Sequence, residues 1–144
     1  MTPSPRAQRT IDFFERLSPA DIAHISAQYT EDAFFKDPFN AVRGHAAIAG
    51  IFTHMFAALN GPRFVVTDCV EQGEGCFLVW EFRFRMRRFD TRTEQVILGT
   101  SHLKYAADGR IAWHRDYWDA AEELYEKLPG LGPLMRWLKR QANS

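Results

Sequence analysis

The stretch of sequence that decides the fold is Tyr29-Thr-Glu-Asp-Ala-Phe-Phe-Lys-Asp-Pro-Phe39. If this stretch is extended, its side chains alternate, so Phe35, Asp37 and Phe39 share one face. A carboxylate on an apolar face is costly unless it is solvated, paired or neutral, which makes Asp37 a candidate general base or acid. An Asp-Pro pair also favours a simple turn in which the carboxylate binds nearby backbone amides, and this segment alone favours the turn.

Helical patterns flank this stretch on both sides. Ser4-Pro5 and Ser18-Pro19 each combine a capping serine with a proline at the first helical position, which predicts two helices before Tyr29. Behind Gly44, apolar residues recur at a spacing of three and four, and Asn60-Gly61-Pro62 ends the pattern. The apolar stripe of this third helix consists of Ile48, Ile51, Phe52, Met55, Phe56 and Leu59.

From Arg63 the apolar period changes to two, which predicts four strands that end near Val70, Arg87, Tyr105 and Trp118. In the second strand an apolar face alternates with a charged one, and the sequence leaves open which of the two faces the interior. The apolar face carries Trp80, Phe82, Phe84 and Met86, and the charged face carries Glu81, Arg83, Arg85 and Arg87.

The order of these elements predicts an α+β fold in which helices pack against one face of a bent, mostly antiparallel sheet. We expect a single domain over residues 1–144, with helices and the Asp37 segment in 1–60, the sheet in 63–118 and C-terminal helices in 119–141. Asp119 is the expected N-cap of the first of these C-terminal helices.

Composition excludes several classes of protein. The 18 basic and 18 acidic residues cancel, and the arginine row of the second strand lacks stacking aromatics on its own face, so we expect no nucleic-acid partner. No apolar run is long enough for a bilayer and no secretory signal is apparent, so we expect a cytoplasmic protein without a membrane partner. Cys69 and Cys76 fit free thiols rather than a disulfide framework.

The last strand carries a polar pair, since His114 and Asp116 are two residues apart and share a face. Such a pair can act as an acid and a base, hold a ligand, or form a structural hydrogen bond. The spacing of Asp37, His114 and Asp116 matches no known ligand signature, so we predict no metal and no cofactor.

Two groups of motifs, taken in order, resemble the SnoaL-like and ketosteroid-isomerase-like proteins of the nuclear transport factor 2 superfamily. The first runs from Asp21-Ile22 to Phe39 and continues in Arg43-Gly44 and the amphipathic helix; the second runs from Asp108-Gly109 to Tyr117-Trp118. The resemblance covers the chain from the first helix to Trp118. It implies a cone-shaped domain whose curved sheet wraps helices around an apolar pocket, and frequent homodimers through the outer face of the sheet.

The resemblance also implies roles for individual residues. In ketosteroid isomerases the aspartate of the matching Asp-Pro motif is the general base, a position that Asp37 fills here. The tyrosine and the acid of the oxyanion hole correspond to Phe13 and Ser101, which argues against steroid isomerisation by that mechanism. Pocket positions of the last strand correspond to His114, Asp116 and Trp118.

Three hypotheses follow. The first is a cofactor-independent isomerase, cyclase, dehydratase or hydrolase that acts on a small apolar molecule. Asp37, His114 and Asp116 would be its catalytic residues, and its ligand-binding residues would be Phe13, Phe35, Phe39, Ser101 and Trp118. The second is a ligand-binding module without catalysis, and the third is a dimeric interaction module. An enzyme needs a group poised for proton transfer, whereas a binding module needs only a pocket of the right shape.

Overall fold

The computed structural model describes residues 2–123, and within that range it is a mixed α+β domain with one sheet. The helical elements are α1 (Pro5–Arg16), a 3₁₀ helix (Pro19–Ala27), α2 (His45–Ala58) and α3 (Ala120–Glu123). The strands are β1 (Tyr29–Lys36), β2 (Ala41–Arg43), β3 (Leu59–Gln72), β4 (Gly75–Met86), β5 (Gln95–Tyr105) and β6 (Ile111–Tyr117). The predicted fold class is confirmed.

The strand order is β2-β1-β6-β5-β4-β3, and β1 pairs with β6 in parallel, whereas all other neighbours are antiparallel. The parallel pairing places Phe35 opposite His114. The stretch that begins at Tyr29 therefore lies beside the last strand, although the two segments are far apart in sequence. This register places the two groups of motifs side by side on neighbouring strands.

The interior lies between the sheet and the helices α1 and α2. On β4, Trp80, Phe82 and Phe84 point inward and are buried. On the outer face, Arg83 forms ion pairs with Glu81 at 2.8 Å and with Glu94 at 2.5 Å. The question that the sequence left open is therefore answered: the apolar face lines the interior, and the charged face is balanced by neighbouring acids.

One strand boundary differs from the sequence-based expectation. Strand β3 begins at Leu59, four residues before the expected Arg63, because the Asn60-Gly61-Pro62 segment continues the strand through a register shift. Gly61 has a φ of +56° there, a conformation that glycine adopts without strain. At the other end, Asp119 caps α3 as expected, since the backbone N–H of Glu122 donates to its Oδ1 at 3.0 Å. The helices predicted beyond Glu123 lie outside the described residues.

Gly99 makes room for the indole of Trp80, its cross-strand partner on β4. A Cβ atom at Gly99 would lie well inside 3.0 Å of the Trp80 ring. We expect Gly99→Ala to lower the free energy of unfolding by about 1–3 kcal/mol, because the ring would have to move within a packed core. Urea denaturation measures this change.

The matched control is Gly50→Ala, at an exposed position of α2 where a Cβ atom meets nothing within 4 Å. Alanine favours a helix interior over glycine, so this variant is expected to be neutral or more stable by about 0.5–1 kcal/mol. Equal stability of the two variants would contradict the account of Gly99.

Candidate functional site

A cavity of about 470 Å³ lies between α2 and the concave face of the sheet. Its volume falls in the range that is typical of small-molecule sites. Most of the wall is aromatic or aliphatic, from Phe35, Phe39, Ile51, Phe52, Met55, Ala58, Leu59, Phe64, Trp80, Phe82, Phe84, Ile97 and Trp118. The polar lining residues are Asp37, Asn40, His54 and Asp116.

A second, much smaller cavity of about 20 Å³ lies deeper in the domain. It shares Asp116 with the large cavity and is also lined by Ser101 and His114, together with the rings of Phe14 and Phe52. A volume of this size, next to several polar atoms, fits about one water molecule. Asp116 therefore stands between the two cavities.

A chain of hydrogen bonds crosses this region from β1 to β4. The hydroxyl of Tyr29 lies 2.7 Å from Nδ1 of His114, and Nε2 of His114 lies 2.6 Å from Oδ1 of Asp116. On the other side, Ser101 donates its hydroxyl to the same Oδ1 at 2.5 Å and accepts the indole N–H of Trp80 at 2.9 Å. Because the Ser101 oxygen accepts from Trp80, its proton is directed to Asp116.

The burial of Tyr29 affects the hydrogen-bonding roles in this chain of hydrogen bonds. Burial, and then the negative charge of Asp116, raises the pKa of Tyr29 well above its ordinary value, so the hydroxyl keeps its proton. That hydroxyl can donate to Nδ1 of His114 or accept from it, depending on which ring nitrogen carries the proton. Both ring nitrogens of His114 therefore have a hydrogen-bond partner within the protein.

The two carboxylate oxygens of Asp116 differ in their hydrogen bonding. Both hydrogen bonds to its side chain reach Oδ1, and within residues 2–123 no hydrogen bond reaches Oδ2. The side chain is 15% exposed, whereas that of His114 is 2% exposed. One carboxylate oxygen is thus fixed by two donors, and the side chain as a whole lines both cavities.

Asp37 lies at the outer end of the large cavity in the turn that follows β1. Its Oδ1 accepts the backbone N–H groups of Phe39 at 2.8 Å and Asn40 at 2.7 Å, and the side-chain amide of Asn40 at 3.1 Å. This is the turn arrangement that the Asp-Pro sequence favours. The carboxylate nevertheless remains part of the cavity wall.

The residues that the sequence singled out are distributed over both cavities. Five of them line the large cavity, and His114 and Ser101 reach the small one. Those in the large cavity are Phe35, Asp37, Phe39, Asp116 and Trp118. Phe13 does not line either cavity; its ring packs on Phe14 at 5.2 Å, and Phe14 faces the small cavity instead. Successive side chains of a helix point about 100° apart, so Phe13 and Phe14 face different parts of the domain.

Sequence reasoning missed Tyr29 and Trp80 as parts of the polar chain. Tyr29 and His114 are separated by 85 residues, and only the parallel register of β1 and β6 brings them together. The alternation of β4 did place Trp80 on the apolar face. A buried indole N–H needs an acceptor, and this requirement was the signal that Trp80 takes part in a polar chain.

Two kinds of feature are absent from residues 2–123. No group of three or more histidine, cysteine, aspartate or glutamate side chains is arranged to hold a metal ion there. Nor is any described helix long and apolar enough to cross a membrane.

The sequence model of the SnoaL-like domain matches residues 10–114, which is most of the chain. No curated protein matches it in sequence.

Three solved structures show the same fold at low identity. A ketosteroid-isomerase-like protein from Catenulispora acidiphila DSM 44928, in complex with trimethylamine, is 14% identical over 85% of this chain and 92% of that chain, with a TM-score of 0.72. A candidate SnoaL-like polyketide cyclase from Shewanella putrefaciens CN-32 is 15% identical over 85% and 98%, with a TM-score of 0.70. An LEH-like epoxide hydrolase from M. tuberculosis is 15% identical over 96% and 94%, with a TM-score of 0.64.

Proposed function

Since this chain belongs to the SnoaL-like family, we propose that it is a cofactor-independent acid–base enzyme whose substrate is a small, largely apolar molecule bound in the large cavity. The observation that carries this proposal is the position of Asp116. Its Oδ1 is held by Ser101 and His114, its Oδ2 accepts no hydrogen bond from the described residues, and the side chain lines an aromatic cavity. Packing alone would favour an apolar side chain there.

In the proposed reaction, Oδ2 of Asp116 takes a proton from the substrate and returns it at another position. The hydrogen bonds from Ser101 and His114 orient the carboxylate, while the surrounding aromatic rings hold the apolar body of the substrate. An isomerisation or a cyclisation needs no further reactant. Asp37 is the weaker candidate base, because both of its oxygens accept hydrogen bonds: Oδ1 accepts three in the turn, and Oδ2 accepts one from the side-chain amide of Asn40 at 3.2 Å.

The small cavity supports a variant of the same chemistry that uses water. A water molecule of the size that fits there would lie among Asp116, Ser101 and His114. If Asp116 takes a proton from this water, the hydroxide can add to the substrate, as in a hydration or a hydrolysis. The structural neighbours include a candidate cyclase and an epoxide hydrolase, which supports testing both reaction types.

A specific observation also favours a second candidate, a ligand-binding protein without catalysis. Both ring nitrogens of His114 and the hydroxyl of Tyr29 have partners inside the protein, as they would in a purely structural pair. Such a protein would hold an apolar molecule in the same cavity and leave it unchanged.

We expect the purified protein in deuterated buffer to exchange or convert at least one of three substrate classes, namely cyclic ketones, enones and aryl epoxides. Exchange is read by NMR at the carbon next to the carbonyl group, and hydration by mass spectrometry with ¹⁸O-water. Turnover that is lost in Asp116→Asn would support the enzyme. If ligands bind in saturation-transfer NMR but no substrate class is converted, the result would favour a ligand-binding protein without catalysis.

Within the same proposal, the outer face of the sheet pairs with a second copy of the chain. Phe77 and Leu98 are exposed on this face, at 42% and 57%. Apolar side chains at such positions are suited to an interface. Sedimentation equilibrium that finds only a monomer at micromolar concentration would contradict this part of the proposal.

A further inference from the structure

The large cavity is lined by two carboxylates, Asp37 and Asp116, and by the imidazole of His54. No lysine or arginine stands among the described lining residues. An anionic ligand would therefore meet two carboxylates without a lysine or arginine to balance it. A cationic ligand, in contrast, would bring a charge opposite to that of both carboxylates.

The outer end of the cavity has the geometry of a site for a cation. The rings of Phe39 and Trp118 lie 5.7 Å apart at an angle of 70°, so they form two walls of a corner. Asp37 lines the same cavity as both rings, and its Oδ1 accepts the backbone N–H of Phe39 at 2.8 Å. Aromatic faces attract organic cations through their quadrupole, and a carboxylate beside them supplies the opposite charge.

We propose that the ligand of this cavity is an organic amine whose cationic nitrogen lies at Asp37, Phe39 and Trp118 and whose apolar body extends toward Asp116. This inference rests on the proposed function and names the substrate class of the same site. It assigns to Asp37 the binding of charge, and it leaves the chemistry to Asp116.

The division of the two carboxylates follows from their surroundings. The hydrogen bonds of the turn fix Asp37 in place at the outer end, where Phe39 is 52% exposed and a cation can enter without losing all of its water. Asp116 is deeper, next to the buried His114. An amine bound at the outer end would therefore place its uncharged carbon atoms, not its nitrogen, against Oδ2 of Asp116.

The experiment compares three probes of nearly equal size: benzyltrimethylammonium, its neutral isostere neopentylbenzene, and the anion phenylacetate. Binding is followed by tryptophan fluorescence, because Trp80 and Trp118 line the cavity. We expect the cation to bind at least about tenfold more tightly than the neutral isostere, and phenylacetate to bind most weakly.

Two variants locate the effect. Asp37→Asn is expected to lower the affinity for the cation about five- to tenfold and to leave the affinity for neopentylbenzene unchanged, because an asparagine oxygen can still accept the hydrogen bonds of the turn. Asp68→Asn makes the same chemical change at an exposed position of β3 outside the cavity and is expected to change neither affinity.

The inference is overturned if the neutral isostere or the anion binds as tightly as the cation, if Asp37→Asn weakens both probes equally, or if none of the probes binds. Each of these results is independent of turnover. The proposed acid–base chemistry fails separately, if bound ligands are never converted, so the two proposals can be told apart.

Discussion

Replacing Asp116 by asparagine is expected to lower kcat of the proposed reaction by about 10²–10⁴-fold, which is the contribution that a positioned general base makes. Asparagine has nearly the same shape and can still accept the hydrogen bonds of Ser101 and His114 through its oxygen. What it lacks is the ability to take a proton at the atom that replaces Oδ2. The rate of substrate deuteration or conversion, measured over a range of substrate concentrations, gives the change.

Two further variants test whether the loss belongs to the base itself. Asp37→Asn is expected mainly to raise KM, because Asp37 is placed at the ligand's outer end and not at the reacting atoms. Asp68→Asn, at an exposed position of β3, is the control for the replacement of an aspartate by asparagine. A kcat that survives in Asp116→Asn but is lost in Asp37→Asn would assign the base to Asp37 and overturn the role of Asp116.

Local patterns in the sequence are sufficient to predict most of the fold. The alternation of apolar and charged residues in β4 predicts its two faces, and the three-four spacing before Asn60 predicts α2. The order of the motifs predicts the family, which the match over residues 10–114 confirms. These features depend on neighbours in the chain, so they can be read without knowledge of the tertiary structure.

The strand boundary near Leu59 is harder to predict, because proline and glycine ordinarily end a regular element. Here Gly61 and Pro62 lie where the register between β3 and β4 shifts, and the strand continues beyond them. Whether such residues interrupt a strand or only distort it depends on the partner strand. That information is not local.

The polar chain around Asp116 shows the same limit more clearly. His114 and Asp116 are two residues apart on one strand, so their pairing follows from alternation. Tyr29 joins them only because β1 pairs in parallel with β6. Phe14, and not Phe13, lines the small cavity. Which of the two does so depends on the rotation of α1 about its axis, and a count of residues from a family motif does not give that rotation.

The largest expected effect on stability is that of His114→Leu, at about 3–5 kcal/mol. His114 is 2% exposed and is held between Tyr29 and Asp116. Leucine fills much of the space but leaves the Tyr29 hydroxyl without a partner and takes one of two donors from the Asp116 carboxylate. It also removes the contact of the imidazole with the ring of Phe35 at 4.6 Å. Urea denaturation of the variant and the native protein measures the loss.

A double-mutant cycle separates the hydrogen bond from the loss of volume. Tyr29→Phe keeps the ring of this buried residue and removes the hydroxyl, so it is expected to cost about 1–3 kcal/mol. In the background of His114→Leu the same change should cost much less, because the hydroxyl has already lost its partner and its removal relieves a buried unpaired group. Costs that simply add would mean that the two side chains do not act as a pair. A coupling between them would show that His114, which holds Asp116, is itself held by the neighbouring strand β1, where the decisive stretch of sequence begins.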